Sequence, residues 1–212
     1  MYLYGASGHA RVIIDILEAS DEPIFGLYDD DASISELKGY PVLRPQEVLG
    51  PLIVSIGNNE VRRKIVSRLD TLYGVAVDPS AIKSRSSSLG EGTVVMQGAI
   101  IQSDVSIGRH CIINTGATVD HECALGDFVH ISPNATLCGN VCVGEGTQIG
   151  AGSVVVPGVK IGKWSLICAG SVVTKDLPDY CIAAGNRCKV MKIKTNSSQT
   201  VGGGNFNPLK LP

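Results

Sequence analysis

The chain has 212 residues, is 44% hydrophobic and 18% charged, and carries a formal net charge of −2. That length buries a real core in one large or two small domains and excludes global disorder, while the near-neutral balance excludes a general basic surface for nucleic acid or anionic membrane. Twenty-five glycines against 5% aromatic residues is an unusual ratio for a globular protein and points to a repeat.

Residues 1–80 alternate strand and helix patterns. Tyr2 to Tyr4 reads as a strand, Gly5-Ala6-Ser7-Gly8-His9-Ala10 as a glycine-rich turn, and Arg11 to Ala19 as a helix with Val12, Ile13, Ile16 and Leu17 on its apolar side. A strand from Phe25 to Tyr28 runs into Asp29-Asp30-Asp31, and one from Leu52 to Ile56 runs into Gly57-Asn58-Asn59 ahead of a helical stretch, Glu60 to Leu69. This order predicts a Rossmann-like unit, whose ligands bind at the carboxyl ends of the strands, where all three motifs fall. Gly5 to Gly8 lets backbone amides at a helix N-terminus approach a phosphate, and His9 adds a hydrogen-bonding group. The motif is not GxGxxG, so it gives dinucleotide binding little support, and the alternative is that the glycines merely shape a tight strand-to-helix turn. Asp29 and Asp30 read as acceptors for a base or ribose, or as a solvated acidic loop; Gly57 and Asn58 read as a ligand loop or as a helix cap.

The chain opens on strand-like residues instead of a basic and apolar leader, and no apolar run reaches the roughly 18 residues of a spanning helix. Seven cysteines, with no CxxC pair, suit reduced thiols. A soluble, cytoplasmic protein is expected.

From Leu89 the sequence steps by six through Val95, Ile101, Ile107, Ile113, Val119, Leu125, Ile131, Leu137, Val143, Ile149, Val155, Ile161 and Ile167 to Val173, always Leu, Ile or Val. Two residues before each stands a small or β-branched residue, such as Ala99, Cys111 or Ser153. A strict period of six does not fit a helix, whose spacings are three and four. It fits short strands joined by tight corners, one aliphatic per strand pointing inward and three strands to a triangular coil. Gly90, Gly108, Gly126, Gly144, Gly150 and Gly162 directly follow inward aliphatics, where the corners are expected to need a conformation that Cβ disfavours. The stacked coils resemble the hexapeptide-repeat family, which implies a left-handed parallel β-helix over residues 81–194 and association as a homotrimer with active sites between subunits. Residues 195–212 turn to Asn, Ser, Gly and Pro and read as a flexible tail.

Acyl transfer from a thioester needs a base for the attacking nucleophile, and histidine suits it near neutral pH. Of the four histidines, His121 is best placed: it stands two residues past inward Val119, where a side chain leaves the prism at a corner, with Glu122 or Asp120 beside it to hold the imidazole. Counted from the preceding inward aliphatic, His110 is at offset three, His121 at two and His130 at five, so a shared metal ion is not expected.

Together, Gly5 to His9, Asp29-Asp30, Ile56-Gly57-Asn58-Asn59-Glu60 and Asn114 to Cys123 resemble the sialic-acid O-acetyltransferase-like family, and within it the bacterial UDP-amino-sugar N-acetyltransferases. The resemblance covers residues 1 to about 192. It implies acetyl-CoA as co-substrate, His121 as general base and Glu122 raising its basicity. It also implies nucleotide binding by Ser7, Gly8, His9, Asp29, Asp30 and Gly57, and acetyl-CoA contacts from His130, Gly139, Ala151 and Ala169. The implied acceptor is a UDP-4-amino-4,6-dideoxy sugar, attacked directly without a covalent acyl-enzyme. O-acetylation of sialic acid or another sugar, and a non-catalytic β-helix, are the alternatives. Near the C-terminus, Gly185-Asn186-Arg187-Cys188-Lys189 departs from the family's proline-containing turn, which predicts a looser loop there.

Overall fold

The computed structural model describes residues 1–194. The expected tail, 195–212, lies outside the described residues. An α/β unit comes first. In its sheet Tyr2–Tyr4 lies between Gly26–Tyr28 and the edge strand Leu52–Val54, parallel to both. Beyond Gly26–Tyr28 it continues into Tyr40–Leu43, which pairs antiparallel with Glu36–Leu37; this hairpin has no clear sequence pattern. Helix α1, Gly8–Ala19, starts three residues earlier than its apolar pattern suggests, because Ser7 is extended and forms the N-cap position. Ala10, Ile13, Ile14, Ile16 and Leu17 are buried at helical spacing. Helix α2, Asn59–Val66, is capped by Asn58, whose side chain accepts from Val61 N at 3.0 Å.

The second unit is a parallel β-helix with three faces. Face I stacks Ala76–Val77, Val94–Val95, Ile112–Ile113, His130–Ile131, Gln148–Ile149 and Leu166–Ile167, then ends in the hairpin Cys181–Ala184 and Lys189–Ile193. Face II runs from Ile82–Lys83 to Val172–Val173, and face III from Ser88–Leu89 to Lys160–Ile161. Each strand pairs with the one 18 residues on, as in Ile112↔His130 and Ile113↔Ile131, so a coil is three hexapeptides. All the inward aliphatics are buried except Leu89, which is half-buried against the same core at the open end. At roughly 1.5–3 kcal/mol for each buried branched side chain, this column is the main source of stability. The small residues two places earlier lie beneath the corners, and their hydroxyls find backbone carbonyls, in the next coil for Thr93 to Gly108 O at 3.0 Å and Thr147 to Gly162 O at 2.6 Å, and in their own coil for Ser87 to Ser84 O and Ser171 to Cys168 O, both at 2.7 Å.

The structure corrects the expectation about the corner glycines. Gly108, Gly126 and their equivalents directly after inward aliphatics are not in the left-handed region; a Cβ at Gly108 would lie 2.7 Å from both Asp127 N and Gly126 C of the next coil. Glycine is required there by close approach of backbone to backbone. The left-handed residues stand two places further on, and they include His110, Glu122, Phe128, Asn134 and Trp164 as well as glycines such as Gly92 and Gly152.

The two units share a core. Outward-facing Val94, Met96 and Ile112 of face I pack against α1 and Leu3. The loop at Gly185 to Lys189 is not loose: Cys188 N bonds Val172 O at 2.8 Å and Gly185 N bonds Ser171 Oγ at 3.2 Å, fixing the hairpin without proline. Among the described residues no helix is long and apolar enough to cross a membrane.

Candidate active site

His121 and Glu122 occupy the edge between faces II and III, joining Thr118–Val119 to Ala124–Leu125. The tight corner leaves both side chains exposed, at 57% and 65%. His121 Nδ1 lies 3.0 Å from Glu122 Oε2. A carboxylate only accepts, so Nδ1 carries the proton and Nε2 presents its lone pair. Asp120 is not the partner, since its Oδ1 accepts from the His121 backbone N at 2.8 Å. One coil on, Gly139 lies against the imidazole: a Cβ there would be 2.5 Å from His121 Cε1 and 2.6 Å from Nε2. Cys123 is buried, its thiol donating to Cys138 O at 3.1 Å, and burial pushes its pKa up to about 11. That thiol is not a nucleophile near neutral pH.

The glycine-rich turn, Asp29, Asp30 and Gly57 gather on the other side of the molecule, over face I. Ser7 and Gly8 are exposed. Ser7 makes no side-chain cap and the first turn of α1 holds no acidic residue, so no side chain of α1 itself caps its first amides. Asp29 is occupied with shaping this turn, accepting from Ala6 N at 2.6 Å and Asp31 N at 2.8 Å. Asp30 is exposed; it accepts from Tyr4 Oη at 3.1 Å and lies 3.9 Å from Arg68. His9 is half-buried, with Nε2 unpartnered and its pKa lowered to about 4 by burial and then by Arg62.

His130 projects from face I into the seam beneath the α/β unit, beside His9 and the Gly57 backbone. It is buried; its Nε2 is 3.0 Å from Asn114 Nδ2, its Nδ1 has no partner, and burial, Arg62 and His9 lower its pKa to about 3. Ala151 and Ala169 are exposed one coil apart on the edge between faces I and II, with Gly170 N bonded to Ala151 O at 2.8 Å. Within one chain, therefore, His121, Glu122 and Gly139 share the edge opposite face I, while the glycine turn, Asp30, Gly57 and His130 share the seam. Among the described residues, no His, Cys, Asp and Glu side chains group as metal ligands.

Sequence reasoning missed Arg62 and Asn59, which are buried on α2 at the domain seam. A signal was present: with Ile65 they recur every third residue on one helical face.

Comparison with known proteins agrees with both units. The PglD N-terminal domain family matches residues 1–69, and the bacterial transferase hexapeptide (six repeats) family matches 86–121 and 143–175. UDP-N-acetylbacillosamine N-acetyltransferase of Bacillus subtilis (strain 168) is 39% identical over 107 residues, 44% of this chain and 50% of that protein; the match spans half the length of this curated relative. PerB from Caulobacter crescentus, solved in complex with CoA and GDP-perosamine, is 38% identical, with a TM-score of 0.82 over 90% of this chain and 96% of that one. The acetyltransferase domain of PglB from Neisseria gonorrhoeae FA1090, solved with acetyl coenzyme A, is 34% identical, with a TM-score of 0.83 over 90% and 98%. The chain belongs to the hexapeptide-repeat sugar acetyltransferases that carry a PglD N-terminal domain.

Proposed function

We propose that this protein transfers the acetyl group of acetyl-CoA to the amino group of a nucleotide-linked sugar, with His121 as general base. The observation that carries the reading is the exposed His121–Glu122 pair, whose 3.0 Å contact leaves Nε2 free as a proton acceptor at an open edge. The unprotonated amine attacks the thioester carbonyl. His121 Nε2 takes the proton released as the C–N bond forms, the C–S bond breaks, and CoA leaves as the thiolate, which is reprotonated. The Glu122 carboxylate faces the imidazolium that forms and offsets its charge. An acyl-enzyme is unnecessary, in keeping with the inert Cys123 thiol.

Residues 1–80 form the nucleotide-sugar unit in this reading, and residues 81–194 the acyl-transfer unit. The uncapped start of α1 suits the diphosphate of a UDP-linked sugar, with Ser7, Gly8 and His9 around it, and Asp30 and Gly57 lie beside it for the nucleoside. Asp29 acts by holding the turn through Ala6. Gly139, Ala151, Ala169 and His130 line the acetyl-CoA path. Because base and turn lie on opposite sides of one chain, the site is completed by a neighbouring copy in a homotrimer. A relative named for a nucleotide-linked amino sugar, and relatives solved with CoA and GDP-perosamine or with acetyl coenzyme A, support the substrate class. Acetyl-CoA-dependent thiol release with UDP- and GDP-linked amino sugars tests it. Turnover confined to hydroxyl acceptors would replace the amine with an alcohol as the nucleophile.

A further inference from the structure

Arg62 is 1% exposed and has no carboxylate partner. Its guanidinium is satisfied by oxygens alone. Nη1 donates to Ile56 O at 2.8 Å and Gly57 O at 3.3 Å, Nη2 to Asn59 Oδ1 at 2.8 Å and Phe128 O at 3.1 Å, and Nε to His110 O at 2.9 Å. Burying an unpaired cation is costly, and only a full set of charge-assisted hydrogen bonds offsets it. Burial lowers its pKa to about 10, which leaves it charged at neutral pH.

The β-helix acceptors follow a rule. His110, Phe128, Gly146 and Trp164 stand one coil apart on the edge between faces III and I, all left-handed, with φ of 54°, 60°, 68° and 54°. Their amides join the coil ladder, as in Phe128 N to Arg109 O at 2.8 Å. Among the described residues no backbone amide reaches their carbonyls. Each carbonyl is instead met by a side chain from outside the coil: His110 and Phe128 by Arg62, Gly146 by Asn59 Nδ2 at 3.0 Å, and Trp164 by Lys194 Nζ at 3.1 Å. Asn59 is itself buried and held by Arg62, and Arg63 stacks on Trp164 with its guanidinium carbon 4.6 Å from the ring centroid.

We propose that Arg62, assisted by Asn59, is a positioning residue that reads the free carbonyls of this edge and so sets the Gly57 loop, and the nucleotide side of the substrate site, at a fixed height on the β-helix. The inference rests on the nucleotide-sugar reading above. Lysine cannot replace it, since a single ammonium does not span acceptors on both units.

Arg62→Met and Arg62→Lys test it in the full chain. For both, KM for the nucleotide amino sugar is expected to rise at least about tenfold, with kcat and the acetyl-CoA KM within about threefold of wild type. Amide hydrogen exchange over residues 56–62 should quicken, while the strands around Ile113 and Ile131 keep their protection. Unchanged KM and unchanged exchange would overturn the proposal, as would a parallel loss in every kinetic constant with general loss of protection, the mark of a merely structural role. If Arg62→Met does not fold, Arg62→Lys carries the comparison. A wild-type protein without turnover on any nucleotide amino sugar would refute the substrate reading instead, and the exchange pattern would still decide the role of Arg62.

Discussion

At His121 the corner supplies exposure, Glu122 supplies the tautomer, and Gly139 supplies room. Removing the proposed base in His121→Ala should lower kcat about 10²- to 10⁴-fold with the acetyl-CoA KM little changed; steady-state kinetics would contradict the assignment if turnover were retained. Gly139→Ala puts a methyl group where the imidazole lies, and a displaced base should lower kcat up to about 10²-fold without removing any polar group. The placement of His121 and Glu122 at an exposed corner was legible in the sequence because the repeat fixes every corner. The role of Asp29 was not, since the ends of strands place carboxylates near ligands and near backbone amides alike, and only the fold shows the Ala6 contact. The buried histidines make a further residue-scale prediction. His130 is held down to about 3, and His9 and His110 to about 4, mainly by burial and next by Arg62, with Arg109 and Asp127 also facing His110. Unfolded, each titrates near about 6.5. Between that pH and about 4 the unfolded chain binds protons that the native chain refuses, so stability is fully present above the window and falls as the pH drops through it. His110→Phe should flatten that fall in urea midpoints taken across the window, because Phe128 already occupies the same position one coil on with φ of 60°. An unaltered slope would show that His110 does not contribute.

The elements obey two separate glycine rules, and paired variants separate them. Gly108→Ala forces a Cβ against the backbone of the next coil and should cost about 1–3 kcal/mol as overpacking, in addition to any local distortion. Gly152→Ala meets open space and should cost only the left-handed strain, roughly 1–2 kcal/mol, as at Asn134 and Glu122, which tolerate the same region. Thermal melts in which Gly152→Ala is clearly the more destabilising would contradict this division. The inward column was fully legible from its period, since one branched aliphatic per hexapeptide satisfies only a short-strand prism. The glycine roles were not: the period marks where corners lie, whereas φ and coil-to-coil distance are set by the stacking. The hairpin Glu36–Leu37 and Tyr40–Leu43 escaped notice because its two-residue strand is too short to show alternation.

At the scale of the molecule, His121 and the glycine-rich turn lie on opposite sides of one chain. Sequence motifs can name both sets of residues without revealing this, since docking depends on contacts such as Arg62 with Phe128, 66 residues apart. The proposed trimer resolves the separation and makes a distinctive prediction. Gly8→Asp, at an exposed position with open space, should repel the diphosphate without unfolding α1. Neither it nor His121→Ala should turn over alone, yet mixed trimers should regain activity by pairing an intact edge with an intact turn. Failure of complementation in mixed trimers verified by sedimentation would place the site within one chain. The most direct test of the central claim is acetyl-CoA-dependent release of free thiol by the wild-type protein against a panel of UDP- and GDP-linked amino sugars, with sialic acid as the hydroxyl control. Turnover of an amino sugar that is abolished in His121→Ala is the predicted result, and turnover of hydroxyl acceptors alone, or equal rates in both proteins, would contradict it.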